Sequence, residues 1–141
     1  MALTRDLLNK FTEYSPLCKA MDMRTEEVGA GFARLILPYE TKLIGDPVTG
    51  VLHGGAISTL LDSTCGVAVM SHPEGEVNTA TIDLRIDYMR PARAGFDVTA
   101  EAEVYHATRT VAFVRGKAWA DDPDKPSAIA TGAFVFAWKA P

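Results

Sequence analysis

Apolar positions change period along the chain, and each change marks an element. Leu3, Leu7, Leu8 and Phe11 recur at helical spacing, which predicts a short amphipathic helix over residues 3–14, stopped by Ser15-Pro16. From about Arg24 to Leu37 the pattern gives two extended pieces, with Gly29 and Gly31 at the turn and Phe32, Leu35, Ile36 and Leu37 in the second. Residues 38–52 mix prolines and glycines without a regular period and read as one long internal loop. Residues 53–70 are small or apolar almost throughout. That run is too long for a strand and has no strand alternation, so its length decides for a buried helix.

Beyond that helix the period becomes two. Ala80, Ile82, Leu84, Ile86 and Tyr88 alternate with Thr79, Thr81, Asp83, Arg85 and Asp87, the pattern of a long half-buried strand. Residues 96–106, 109–119 and 127–138 give three more strands, with breaks at residues 90–95 and 121–126. The order is helix, two strands, buried helix, four strands. Consecutive antiparallel strands around one apolar helix predict an α+β fold. The 141 residues show no linker or internal repeat and are expected to form one domain, 1–141.

Charge and composition narrow the function. Fourteen Lys and Arg against eighteen Asp and Glu leave a net charge of -4 and no basic run, which argues against nucleic acid as a partner. The two cysteines, Cys18 and Cys65, form neither a disulfide framework nor a zinc pattern, and His72 and His106 lack metal-ligand spacing, so no metal is expected. Residues 1–15 carry charges inside their apolar stretch, unlike a signal peptide, and no run approaches the ~20 apolar residues of a membrane span. A soluble cytoplasmic protein without membrane contact is the expectation.

Two features point to chemistry. Asp62 lies in the middle of the helix otherwise built for burial, and an unpaired buried charge is costly, so something must hydrogen-bond this carboxylate or use it. Ser58, Ser63, Thr64 or a basic residue from a strand would satisfy it in a purely structural role. His53-Gly54-Gly55 stands where loop becomes helix. There the first N–H groups have no internal partner and carry the positive end of the helix dipole, a cradle for a developing oxyanion.

Spacing constrains how the two features combine. Eight residues separate Gly54 from Asp62, about 12 Å of helical rise. One helix therefore cannot bring both groups to one carbonyl carbon, whereas two antiparallel helices pair the Asp62 of one with the Gly54 of the other. If the features form one site, the protein is a homodimer with two equivalent sites.

The run GVLHGGAISTLLDSTCG, followed by TIDLRIDYMRPARAG, resembles the hotdog-fold acyl-CoA thioesterases of the phenylacetic-acid-degradation (PaaI-like) type, and the strand order extends the likeness over essentially the whole chain. The resemblance implies a curled antiparallel sheet wrapped around the central helix. It also implies edge-to-edge dimers that often pair into homotetramers, and an acyl-CoA substrate with no cofactor beyond its own coenzyme A. Asp62 is then the catalytic carboxylate, the Gly54 or Gly55 amide of the neighbouring subunit polarises the thioester carbonyl, and His53 lies beside it. Thr81 matches a Ser or Thr that assists in some relatives. Where such proteins usually carry an Asn before His-Gly-Gly, this sequence has Asp46-Pro47, which puts an acceptor in place of a donor near the substrate.

Other residues have simpler readings. Cys65 lies near Asp62 on the helix but has no neighbouring His to activate it. Arg90 and Arg93 stand at a strand end, and Arg90 is a candidate for the phosphates of coenzyme A. Two alternatives to hydrolysis stay open at this level: a hotdog enoyl-CoA hydratase or dehydratase, and a non-catalytic acyl-CoA binding protein.

Overall fold

The computed structural model describes residues 5–76 and 78–140. Helices α1 (Arg5–Tyr14) and α2 (Pro16–Ala20) precede strands β1 (Arg24–Gly29) and β2 (Phe32–Leu37). A loop with one 3-10 turn leads to helix α3 (Gly54–Met70), which is followed by β3 (Thr81–Tyr88), β4 (Val98–Ala107), β5 (Val111–Trp119) and β6 (Ala128–Val135). Among the described residues six strands form one antiparallel sheet in the order β1-β2-β4-β5-β6-β3. The sheet curls around α3 in the α+β hotdog arrangement.

Packing explains why α3 lies so close to the sheet. The inward positions of β4, β5 and β6 are dominated by alanine (Ala100, Ala102, Ala112, Ala118, Ala128 and Ala130), all nearly or fully buried. The bulk of the core comes instead from Leu60, Leu61, Val67 and Val69 of the helix, with Leu35, Leu37, Val98 and Val114 of the strands. Small residues on one layer face branched ones on the other, which lets the helix and sheet approach closely.

The expected elements are present with local differences. Gly31, with φ +70°, makes the β1–β2 turn, as Gly can without a steric penalty. Leu3 and the side chain of Leu7 lie outside the described residues; Leu8 of α1 is buried. Ser15-Pro16 ends α1 but also starts α2: the Ser15 hydroxyl accepts from the Cys18 amide at 3.4 Å and Pro16 takes the first helical position. Phe96, expected inward, is exposed and packs under the Arg93 guanidinium.

The largest departure is β3. A bulge between Thr81 and Asp83 breaks the even alternation, so Thr81 faces the helix and Ile82 is 57% exposed, while only Leu84 and Ile86 pack on the core. β3 pairs with β6 on one side only and is an edge strand. Its exposed residues continue into Tyr88 and Met89.

Candidate active site

Helix α3 is not buried evenly. From Thr64 to Met70 every residue is buried, whereas in the first turns Gly55, Ser58, Thr59, Asp62 and Ser63 form a stripe that stays at least partly open. Asp62 is thus half-buried, not enclosed as the continuous apolar run suggests, because no described residue covers this side of the helix fully. Its Oδ1 accepts a hydrogen bond from the Thr81 hydroxyl at 2.7 Å. Ser58 donates instead to the Gly55 carbonyl, Thr64 to the Leu60 carbonyl, and Ser63 lies 3.5 Å from the Cys18 sulfur, so the helix hydroxyls do not satisfy the carboxylate.

The helix start has its own construction. His53 is the N-cap, with extended backbone (φ -59°, ψ 134°), and its Nδ1 accepts from the Gly55 amide at 2.8 Å. The Ala56 amide donates to the His53 carbonyl. Gly55's N–H is therefore committed to His53 and Ala56's to the His53 carbonyl, while the Gly54 N–H, ahead of both, has no hydrogen bond of this kind among the described residues. A Cβ on Gly55 would lie 2.9 Å from His53 Nδ1, so glycine there lets the imidazole fold back over the helix end. Tyr88, from the far end of β3, donates its hydroxyl to the Gly54 carbonyl at 2.9 Å. Strand and helix run in opposite directions, so β3 touches α3 at Asp62 with its first residue and at Gly54 with its last.

Loop residues 43–46 support the same corner. The His53 amide donates to the Leu43 carbonyl, and a Cβ on Gly45 would lie 2.7 Å from the His53 Cα. Asp46 turns back on its own loop: Oδ1 accepts from the Val48 amide at 2.9 Å and Oδ2 from the Thr49 hydroxyl at 2.8 Å. Those two bonds, Thr49 first, hold its carboxyl below the usual range. A cleft of about 310 Å³ lined by Met21, Lys42, Leu43, Ile44, Ala56 and Thr59 opens beside His53 and Gly55.

The remaining candidates separate. Arg93 pairs with Asp121 at 2.9 Å, whereas Arg90 is exposed and its side chain has no partner among the described residues. Burial, and then the neighbouring Asp62 carboxylate, push the Cys65 thiol up to about 12, which removes it as a nucleophile. No cluster of metal-ligating side chains occurs among the described residues. Tyr88 is the contact that sequence reasoning missed: it stands inside the run TIDLRIDYMRPARAG that carries the resemblance, but period-two alternation assigns it inward to the core.

Comparison with known proteins fixes the family. Residues 49–127 match the family model of the thioesterase superfamily. The chain is similar to the medium/long-chain acyl-CoA thioesterase YigI of Escherichia coli, 30% identical over 118 residues that cover 74% of this chain and 76% of that protein. A crystal structure of a Pseudomonas aeruginosa protein superposes with a TM-score of 0.80 at 42% identity, covering 91% of this chain and 95% of that one. The structure of a mutant of the phenylacetic acid degradation protein PaaI from Thermus thermophilus gives a TM-score of 0.75 at 26% identity, covering 87% and 99%. The chain belongs to the thioesterase superfamily and, within its hotdog folds, to the PaaI-like type.

Proposed function

We propose that this protein hydrolyses an acyl-CoA thioester to the free acid and coenzyme A, with Asp62 and the Gly54 amide acting from opposite subunits. The observation that carries the reading is the half-open carboxylate of Asp62, held by Thr81 on a helix whose start offers a free amide. Asp62 either takes a proton from the water that attacks the carbonyl carbon, or attacks that carbon itself to give an anhydride that water then opens. In both routes the C–S bond breaks and the leaving thiolate is protonated. The Gly54 N–H, at the positive end of α3, stabilises the tetrahedral oxyanion, with His53 beside it. Coenzyme A enters as part of the substrate, and no other cofactor is needed. Arg90 is free to meet its phosphates, the cleft beside His53 offers Met21, Leu43, Ile44 and Ala56 to an acyl group, and Asp46 shapes the loop next to the site.

Two subunits are required because α3 is a regular helix from Gly54 to Met70, which keeps the roughly 12 Å of rise between Gly54 and Asp62. Edge strand β3, with Ile82, Tyr88 and Met89 exposed, is the surface through which the dimer forms. Pairing of dimers into tetramers follows from the likeness to the PaaI-like type. Work in the cytoplasm on a soluble substrate belongs to the same reading, and no helix among the described residues is long and apolar enough to cross a membrane. Thiol release across acyl-CoAs of varied length and aromaticity tests the function: Asp62→Asn should fold and lose turnover by orders of magnitude, and near-normal hydrolysis by that variant would overturn the assignment.

A further inference from the structure

We propose that Tyr88 is a positioning residue for the start of α3, acting through one peptide plane on His53. The inference rests on the reading of the Gly54 end as the carbonyl-binding half of the site. The Gly54 carbonyl and the Gly55 N–H belong to the same planar peptide unit. Tyr88 donates to that carbonyl at 2.9 Å, and the N–H donates to His53 Nδ1 at 2.8 Å. A hydrogen bond at the oxygen draws electron density from the nitrogen and makes its N–H a stronger donor, so the two bonds reinforce each other.

The result is directional. With Nδ1 engaged as an acceptor, the His53 ring carries its hydrogen on Nε2 and presents that nitrogen as a donor. Holding the peptide plane at both ends also fixes the first helical turn, and with it the direction of the adjacent Gly54 N–H. Burial does not force the Tyr88 contact: the side chain is 52% exposed, and its hydroxyl could be satisfied by water. The ring lies against Gly54, 3.6 Å from where a Cβ would stand, so packing and hydrogen bond act at the same point. Because Tyr88 and Thr81 are the two ends of β3, one edge strand sets the aim of both the carboxylate and the helix start.

Tyr88→Phe separates the hydroxyl from the ring. The variant is compared with wild type by 15N NMR of the ring-labelled histidines and by thiol release from an acyl-CoA, with Asp62→Asn alongside. Wild type should show His53 with hydrogen on Nε2 only. The variant should show the Nδ1–H tautomer as well, with kcat lower on the order of three- to tenfold, the cost of one hydrogen bond, and KM within about twofold. A His53 tautomer or a kcat unchanged from wild type would overturn the proposal. If Asp62→Asn hydrolyses normally, the role given to Asp62 fails, and if wild type itself releases no thiol, the thioesterase reading fails; in either case the His53 tautomer alone judges the role of Tyr88.

Discussion

The Thr81 hydroxyl donates to Asp62 Oδ1 at 2.7 Å, so an edge strand aims the carboxylate that projects from the middle of α3. A single hydrogen bond of this kind leaves the other lone pairs of Asp62 open for water or substrate. Thr81→Val keeps the shape and removes the donor. Its kcat should fall on the order of tenfold with the melting temperature little changed, whereas Thr81→Ser should stay within about threefold of wild type. Steady-state thiol release and a thermal melt check both.

The same bond sits beside the bulge in β3, and Gly132 of β6 packs closely against the strand just after it. A Cβ at Gly132 would stand 2.9 Å from the Asp83 carbonyl oxygen and 3.0 Å from both Leu84 Cδ1 and Phe134 Cε2. Backbone cannot yield as a flexible side chain does. Gly132→Ala should therefore destabilise the fold by roughly 1–3 kcal/mol and also lower kcat, because Thr81 loses its inward aim. Urea unfolding gives the first quantity, and assay of the still-folded protein at low temperature gives the second.

Cys65 should be inert in the native state. Its thiol is pushed up to about 12 by burial and by the Asp62 charge, so almost no thiolate exists near neutral pH. An aromatic disulfide reagent should leave Cys65 unmodified at pH 7 to about 9 and modify it on unfolding. Mass spectrometry of the tryptic peptide identifies the site.

Asp46 ties the loop in a pH-dependent way. Its folded carboxyl lies below the ordinary range, so the stabilisation is fully present above the ordinary carboxylate value of about 4 and fades as pH falls through the lower folded value. Exchange of the Val48 amide should accelerate in that acid window. Asp46→Asn should flatten the dependence, since its amide oxygen still accepts from Val48 but does not titrate over this range.

Much of the fold was legible because the chain separates its periods cleanly. Residues 53–70 and the strands after them carry unambiguous length and alternation, and the helix start at His53-Gly54 is where the structure puts it. What was hidden depends on backbone detail. A one-residue bulge turned Thr81 inward and Ile82 outward, which no period-two pattern encodes. Tyr88 reads as a core position by alternation, and its contact with Gly54 joins residues 34 apart in sequence, which no local pattern encodes. Asp62 looked enclosed because an apolar run does not reveal which face of a helix its own chain leaves uncovered. Ser15-Pro16 did carry the signal for α2, as a cap followed by a first-turn proline, but it also reads as a stop.

The central claim is that each site takes Asp62 from one subunit and Gly54 from the other, and mixing two inactive variants tests it directly. Asp62→Asn removes one half. Gly54→Pro removes the other with little harm to the helix, since Gly54 is the first helical residue, where proline is accepted, and the extended backbone of His53 suits the residue before a proline. After subunit exchange of equal amounts, half of the dimers are mixed and each mixed dimer holds one intact site. Thiol release should then rise to about a quarter of the wild-type rate per subunit. A mixture that exchanges subunits yet stays as inactive as either variant alone would contradict the shared site.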